Sequence, residues 1–424
     1  MAAFLAYRSP SPSPYMDNDA DADDERMSAS PSPTPSFEHE HEHDPDGEME
    51  MDRSSEYYDS DVEGAPSVYS YASSRDGARF VREVHGRVCN AQNELYALPA
   101  DDEECDRIGT QHLMLKLALN SNYTAPHLVK RALSRPFPAA PAQPQANPFN
   151  FPGLPRQRRS VPQQTQRRAL LDCGTGAGQW AKEMAEEWPD VDVVGIDLAP
   201  QFRKRAANAP KNCRFEVDDV TLGLPHFKGA FDVVHSRSIC NGVPDYPAYI
   251  EDLLLTLRPG GILLLVEGDL QLRNWDSSPT DPEQSAMQRV LFAAYSALKG
   301  KGSTVDAGKL CARWLGEHVG KPGGVTFVGE DLVWVPVGPW LQGTDERTRR
   351  LNYIGELMRR DCKLFVRSLR PTLIDAGYRA EVLDGWIEDA DRELEDLTVH
   401  MFCTWHYAWA EKAEGELVRT VMDE

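Results

Sequence analysis

The 424-residue chain is short of basic side chains: 45 Lys and Arg stand against 67 Asp and Glu, a formal net charge of −22. Binding to a nucleic-acid backbone is mostly neutralisation of phosphate by Lys and Arg, so this balance makes direct nucleic-acid binding an unfavourable expectation. The chain also lacks any C-x-x-C pair. Its eight cysteines, at 89, 105, 173, 213, 240, 311, 362 and 403, lie far apart, which excludes the compact zinc and redox motifs and leaves no metal site to propose. They read as free buried thiols in a reducing compartment. No apolar run approaches a membrane span, and the N-terminus MAAFLAYRSPSP has no hydrophobic stretch of signal-peptide length. The expectation is a soluble chain with a cytoplasmic or nuclear location, no secretion and no membrane partner.

Two stretches lack periodicity. Residues 1–75 carry 18 Asp and Glu against four Arg and no Lys, a local charge of −14, and are rich in Ser and Pro. Such a segment buries too little apolar surface to offset chain entropy and reads as a disordered acidic tail. It holds Ser-Pro and Thr-Pro pairs at Ser9, Ser11, Ser13, Ser30, Ser32 and Thr34, candidates for proline-directed phosphorylation, and it offers a surface for a regulatory protein partner. The run from Glu38 to Asp44, EHEHEHD, reads as a solvated low-complexity segment before it reads as a metal chelator. Residues 136–168, rich in Pro, Gln and Ala, read as a flexible insertion. Its basic end, with Arg156, Arg158, Arg159, Arg167 and Arg168, suits a plain solvated linker, with nuclear import or an acidic partner as the alternatives. Residues 413–424 read as a second tail.

Between these stretches the chain is patterned. Residues 76–135 read as a helical segment. Phe80, Val81 and Val84 suggest a short first helix. A longer one follows Leu98-Pro99, with Asp101, Asp102, Glu103 and Glu104 in a first turn that suits the helix dipole. Ile108, His112, Leu115 and Leu119 share one of its faces, so His112 is either a core histidine or a group lining a pocket under the helix. A third helix is expected over residues 127–133.

Residues 169–412 alternate strand and helix. The stretch ALLDCGTGAGQWAKEMAEEWPDVDVVGIDL runs strand, glycine turn, helix, strand, carboxylate, half of a nucleotide-binding α/β unit. Further strands end on Asp218-Asp219 and on His235-Ser236-Arg237, and a wholly apolar one ends on Glu267 after the turn Arg258-Pro259-Gly260-Gly261. A short helix is expected over 202–208 and another over 249–257. Five apolar strands spaced this way imply a parallel sheet covered on both faces. Beyond it, helices are expected over 286–298, 307–318, 350–376 and 386–397. Residues 325–337 read as a strand pair or one long strand, and 398–410 as the antiparallel edge strand of the sheet.

The glycine turn decides between cofactor classes. A dinucleotide fingerprint, G-x-G-x-x-G, needs glycine at 179, where Gln179 stands. The spacing is instead D-x-G-x-G-x-G over Asp172, Gly174, Gly176 and Gly178, which resembles the loop of Rossmann-like methyltransferases that use S-adenosylmethionine. A nicotinamide enzyme stays the alternative. The segments around the turn, with NCRFEVDD, FDVVHSRSI and LRPGG, are similar to the fungal LaeA-like methyltransferases. So are Leu98-Pro99 with the acids, Asp106-Arg107 and Gln111-His112 that follow, and Pro336-Val337-Gly338-Pro339-Trp340 downstream. This resemblance covers about residues 80–412. It implies a class I α/β fold with a mostly parallel seven-stranded sheet, helices on both faces and an N-terminal helical lid.

The resemblance also implies roles. S-adenosylmethionine is the cofactor. Its methionine part is held by the backbone of Gly174, Gly176 and Gly178 with help from Asp172, its ribose by Asp197, and its adenine by Asp218 or, preferentially, Asp219, flanked by Leu198. His235 is the first candidate for a general base, with cofactor contact or packing as its alternatives, and Glu267 is a second candidate. Arg107, Gln111 and His112 belong to the lid, and Arg237 faces the substrate. The expected activity is methylation of a small molecule on oxygen, nitrogen or carboxylate, conceivably in fungal secondary metabolism. The alternative is a nuclear regulatory protein that binds the cofactor and partner proteins with little turnover.

Overall fold

The computed structural model describes residues 80–96, 98–136, 167–200 and 208–414. The acidic tail, the EHEHEHD run, residues 137–166 of the insertion, residues 202–207 of the expected short helix and the last ten residues lie outside them. Near the start of the described residues lies a hairpin, β1 (Val81–Val84) and β2 (Arg87–Asn90), where a helix was expected. The reason is local. His85 (φ 46°) and Gly86 (φ 79°) form the two-residue left-handed turn that matches strand twist, so Val84 pairs with Arg87. Helix α1 (Asp102–Leu119) is capped by Asp101, whose carboxylate accepts from Glu104 N at 3.0 Å. Helix α2 (Pro126–Ser134) follows.

The central sheet begins at β3 (Arg168–Cys173), followed by α3 (Gln179–Glu187), β4 (Val191–Asp197), β5 (Cys213–Val217), β6 (Phe231–Arg237), α4 (Tyr246–Thr256) and β7 (Leu257–Gly268). The short strand β8 (Arg273–Asn274), helices α5 (Ala286–Gly300) and α6 (Ala307–Gly316), β9 (Val325–Pro336), α7 (Glu346–Asp375), α8 (Ala380–Asp396) and β10 (Met401–Lys412) complete it. The order is β5-β4-β3-β6-β7-β10-β8, with β9 on the other side of β10. The five strands β3 to β7 are parallel, and β10 is antiparallel to β7, β8 and β9. With the two-residue β8 the sheet has eight strands among the described residues, one more than expected. The Arg258–Gly261 segment lies within β7 rather than before it.

Each central strand is buried on both faces, which is why its sequence is a continuous apolar run. Leu170, Val193, Val233 and Leu264 pack with Trp180 and Met184 of α3 and with Leu128 and Val129 of α2. Their neighbours Leu171, Val194, Val234 and Leu265 pack on the opposite face with Ile250 and Leu253 of α4 and Leu315 of α6. A third cluster joins α5, α7 and α8 to the start of β10.

β10 is not the edge strand. It is almost wholly buried, and β9, with Glu330 and Asp331 midway along it, takes the edge. Charges blunt an exposed edge, whereas the uncharged run MFCTWHYAWA suits a strand with neighbours on both sides. Arg167 and Arg168 are not linker. Arg168 ion-pairs with buried Asp232 and donates from Nε to Arg135 O at 2.9 Å, and Arg167 meets Asp192 at 2.7 Å. They fasten the start of β3 to the sheet.

Candidate functional site

One large cavity opens at the C-terminal ends of the parallel strands, where the order reverses between β3 and β6. That crevice is the usual ligand site of open α/β sheets. Asp172, Gly174, Thr175, Gly176, Asp197, Leu198, Asp218, Asp219, His235, Arg237 and Glu267 all line it, as do Arg107 and Gln111 of α1. These residues are spread over 160 positions of the chain. The tops of five adjacent strands and one face of α1 bring them together.

The glycine turn is strained in the way only glycine tolerates. Gly174, Gly176 and Gly178 sit at φ 67°, 54° and 76°. A Cβ on Gly174 would stand 3.1 Å from Ile239 Cδ1. Gly178 is the residue before α3 and stands outside the cavity wall. Of the turn's N–H groups, Thr175 donates to Ile196 O (2.9 Å), Gly178 to Thr175 O (2.9 Å) and Gly176 to Asp197 Oδ2 (2.7 Å). Asp197 also accepts from Ala199 N at 3.1 Å, and burial pushes its pKa up to about 6. If that carboxylate must be ionised to receive a ligand's hydroxyls, cofactor affinity falls as pH drops through 6. Calorimetry with S-adenosylhomocysteine is expected to show binding about tenfold weaker at pH 5 than at pH 8.

Asp172 is buried and used twice: Thr175 Oγ1 donates to Oδ2 and His235 Nδ1 to Oδ1, both at 2.7 Å. A carboxylate only accepts, so Nδ1 carries the proton. The His235 ring stacks on Trp180 at 3.8 Å, and burial lowers its pKa despite Asp172. Asp219 accepts from Thr221 N and Oγ1, capping a short turn, and Asp218 pairs with His226 at 3.0 Å.

Arg107 and Gln111 hold the molecule together at the cavity wall. Arg107 donates to both oxygens of Glu104 (2.7 to 3.0 Å) and to Asp361 of α7 (2.9 Å), and Ser368 donates to Glu104 at 2.6 Å. Gln111 donates to the other Asp361 oxygen at 3.3 Å. His112 does not line this cavity. It lines a small second one with His235 and Arg237, its Nε2 3.1 Å from Glu183 and its Nδ1 3.4 Å from both terminal nitrogens of Arg237. Burial lowers the pKa of His112 as well.

Glu267, at the end of β7, is 1% exposed. Its Oε1 accepts from Ile239 N (3.1 Å), Cys240 N (3.2 Å) and the Tyr246 hydroxyl (3.0 Å), while Oε2 has no partner among the described residues. Burial pushes its pKa up to about 7. Missing from the sequence reading were Asn93 and Tyr96, which also line the cavity. Asn93 donates to Gly242 O at 2.9 Å, and Tyr96 packs where a Cβ on Gly242 would stand. Asn90 at the end of β2 and Asn93 just after it were the only signal for them. None of the eight cysteines is in a disulfide among the described residues, and seven are buried. Among the described residues no group of three or more His, Cys, Asp or Glu is arranged to hold a metal, and no helix is long and apolar enough to cross a membrane.

A profile described as a methyltransferase domain matches residues 141–316. The secondary metabolism regulator laeA of Coprinopsis cinerea is 30% identical over 322 residues, 74% of this chain and 69% of the relative. Methyltransferase pytC of Aspergillus terreus is 28% identical over 70% of this chain and 76% of its own. The protein-methionine methyltransferase laeA of Emericella nidulans is 26% identical over 67% and 64%. Among solved structures, a Haemonchus contortus phosphoethanolamine N-methyltransferase with S-adenosylhomocysteine is similar over 58% of this chain and 49% of its own, at 16% identity and a TM-score of 0.35. The cradle fits S-adenosylmethionine: a turn of positive-φ glycines, in which a Cβ on Gly174 would crowd Ile239, lies between acids at the ends of β3, β4 and β5. The chain belongs to the LaeA-like methyltransferases, a class I family whose cofactor is S-adenosylmethionine.

Proposed function

We propose that this chain is an active enzyme that methylates a small molecule, and that Glu267 takes the proton of the acceptor. One observation carries the choice of base: Oε1 of Glu267 is fixed by three donors while Oε2 is buried and unpartnered in a residue of the cavity wall. Bound S-adenosylmethionine supplies an electrophilic methyl group, and its sulfur keeps the electron pair of the broken C–S bond. The protein's own tasks are to align, exclude water and receive a proton. Asp197 and the glycine turn orient the cofactor, Asp218 and Asp219 border its adenine end, and α1 closes the cavity. His235 acts in this reading as a strut: its Nδ1 is committed to Asp172 and its ring to Trp180, so it holds the carboxylate beside the turn.

The pH profile tests the assignment. A base must be ionised, so activity is expected to rise with pH through about 7 and to be lost below it. Glu267→Gln is expected to lower kcat by about a hundredfold or more and to remove that acid limb. His235→Ala should keep the limb. A limb that survives in Glu267→Gln and vanishes in His235→Ala reverses the assignment.

The relatives named as regulators support a second reading, in which the protein binds the cofactor in the nucleus or cytoplasm and acts through a partner held by the acidic segment 1–75. Tritium transfer from labelled S-adenosylmethionine into a host metabolite extract separates the two. Labelled small molecules support the enzyme, and their absence favours the regulator.

A further inference from the structure

Among the described residues the large cavity is lined by seven carboxylates and two arginines, Arg107 and Arg237. S-adenosylmethionine carries two positive centres, a sulfonium and an ammonium, which such a wall suits. It also carries one negative centre, its α-carboxylate, which needs a cation to enter an acidic cavity.

Arg107 cannot be that cation, because its guanidinium is spent on Glu104 and Asp361. Arg237 is in no ion pair among the described residues. The polar contact of its guanidinium is His112 Nδ1, 3.4 Å from both terminal nitrogens. A guanidinium only donates, so Nδ1 accepts there and His112 is neutral. The contact therefore leaves the charge of Arg237 unbalanced. Desolvation acts to lower the pKa of both arginines. At Arg107 the two carboxylates overcome it and raise the value, whereas at Arg237 it prevails. Four buried atoms of the same wall take part in no hydrogen bond: Ser238 Oγ, Glu267 Oε2, Asp269 Oδ2 and Trp405 Nε1. They belong to acids or to uncharged side chains and offer a carboxylate no counter-charge.

The sheet sets Arg237 at the glycine turn. Asp172 pairs with His235 and Cys173 with Ser236, so the next step of the register puts Arg237 beside Gly174. Ile239, two residues on, stands 3.1 Å from where a Cβ on Gly174 would be. Helix α1 closes on the same turn, with Ile108 3.4 Å from the Cβ position of Gly176 and His112 one helical turn further along. His235 and Arg237 line both this cavity and the small one beside α1.

We infer that Arg237 is the receptor of the cofactor's α-carboxylate, holding it at the end of β6 between the glycine turn and α1, with His112 steadying the guanidinium from the helix. The chemistry is that of a planar donor fork meeting a carboxylate. The assignment concerns the cofactor, so it holds for the enzyme and for the regulator alike. It moves Arg237 from the acceptor's side of the cavity to the cofactor's, and it ties α1 to cofactor loading through His112.

Calorimetry on the full chain with two ligands isolates the carboxylate: S-adenosylhomocysteine and decarboxylated S-adenosylhomocysteine, which keep the same ammonium. Wild type is expected to bind the first about thirtyfold more tightly. Arg237→Met should weaken S-adenosylhomocysteine by about that factor and leave the decarboxylated ligand within about threefold of wild type, which also shows that the variant is folded. Arg237→Lys keeps the charge but loses the fork, and should retain a preference of about three- to tenfold. Failure of wild type to bind S-adenosylhomocysteine at all would overturn the cofactor itself. With that binding intact, equal affinity of wild type for the two ligands or equal weakening of both by Arg237→Met overturns the inference. So does unchanged S-adenosylhomocysteine binding in Arg237→Met, which would leave the guanidinium to a carboxylate on the methyl acceptor.

Discussion

Arg107→Ala is expected to lower the unfolding free energy by about 3–5 kcal/mol, with a fall in Tm on the order of 10 °C. The sequence offers Arg107 as a lid residue reaching for substrate. Its guanidinium is instead spent on Glu104, one turn before it, and on Asp361, 254 positions away. Removing it leaves two carboxylates, at 0% and 3% exposure, without a counter-charge. The sign with pH checks the cause. Burial already raises the pKa of Asp361, so in the variant its protonation relieves the unpaired charge early. The deficit relative to wild type should therefore be smaller at pH 5 than at pH 8. A variant removing the charges together, Arg107→Met with Glu104→Gln and Asp361→Asn, should recover much of the loss. Full stability in Arg107→Ala together with a large rise in KM would return Arg107 to the role of a substrate contact.

Gly176→Val is expected to weaken S-adenosylhomocysteine binding at least about a hundredfold while the sheet stays folded. Gly176 sits at φ 54°, where an L-residue pays about 1–2 kcal/mol and a β-branched one more. A Cβ there would stand 3.4 Å from Ile108 Cδ1, so the rest of a valine side chain presses against α1. The N–H of Gly176 holds Asp197, so a shifted turn also releases the carboxylate expected to meet the ribose. None of this touches the sheet core of Leu170, Val193 and Val233, each 0% exposed. Circular dichroism should therefore change little, and the thermal transition should fall only by the several degrees that the strained turn costs. Binding within threefold of wild type would mean that the turn does not contact the cofactor.

Much of the fold was legible because its signals are local. The strands β3, β4 and β6 announce themselves as apolar runs closed by Asp172, Asp197 and His235, and the turn between β3 and α3 by its glycines. Asp101 and the acids after it mark the start of α1 to within one residue, Asp101 being the cap rather than part of the first turn. The hairpin also carries a local signal, His85-Gly86 between two valine-bearing runs, which outweighs a helical spacing of only three residues.

The sequence by itself determined the cofactor and the reaction class, since glycine at 174 and 176, glutamine at 179 and acids at strand ends depend on backbone turns a few residues long. Only the tertiary structure decided what the named side chains touch. Arg107 and Gln111 are tied to Asp361 because α7 folds back onto α1, and the His235 ring is stacked because α3 places Trp180 against it. Glu267 gained one anchored and one free oxygen because the 239–242 loop and Tyr246 return to the end of β7. β10 lies inside the sheet because β9 reaches its far side. Each of these depends on contacts between residues distant in the chain, and a charge or hydrogen-bonding group carries no mark in sequence of which distant partner will use it.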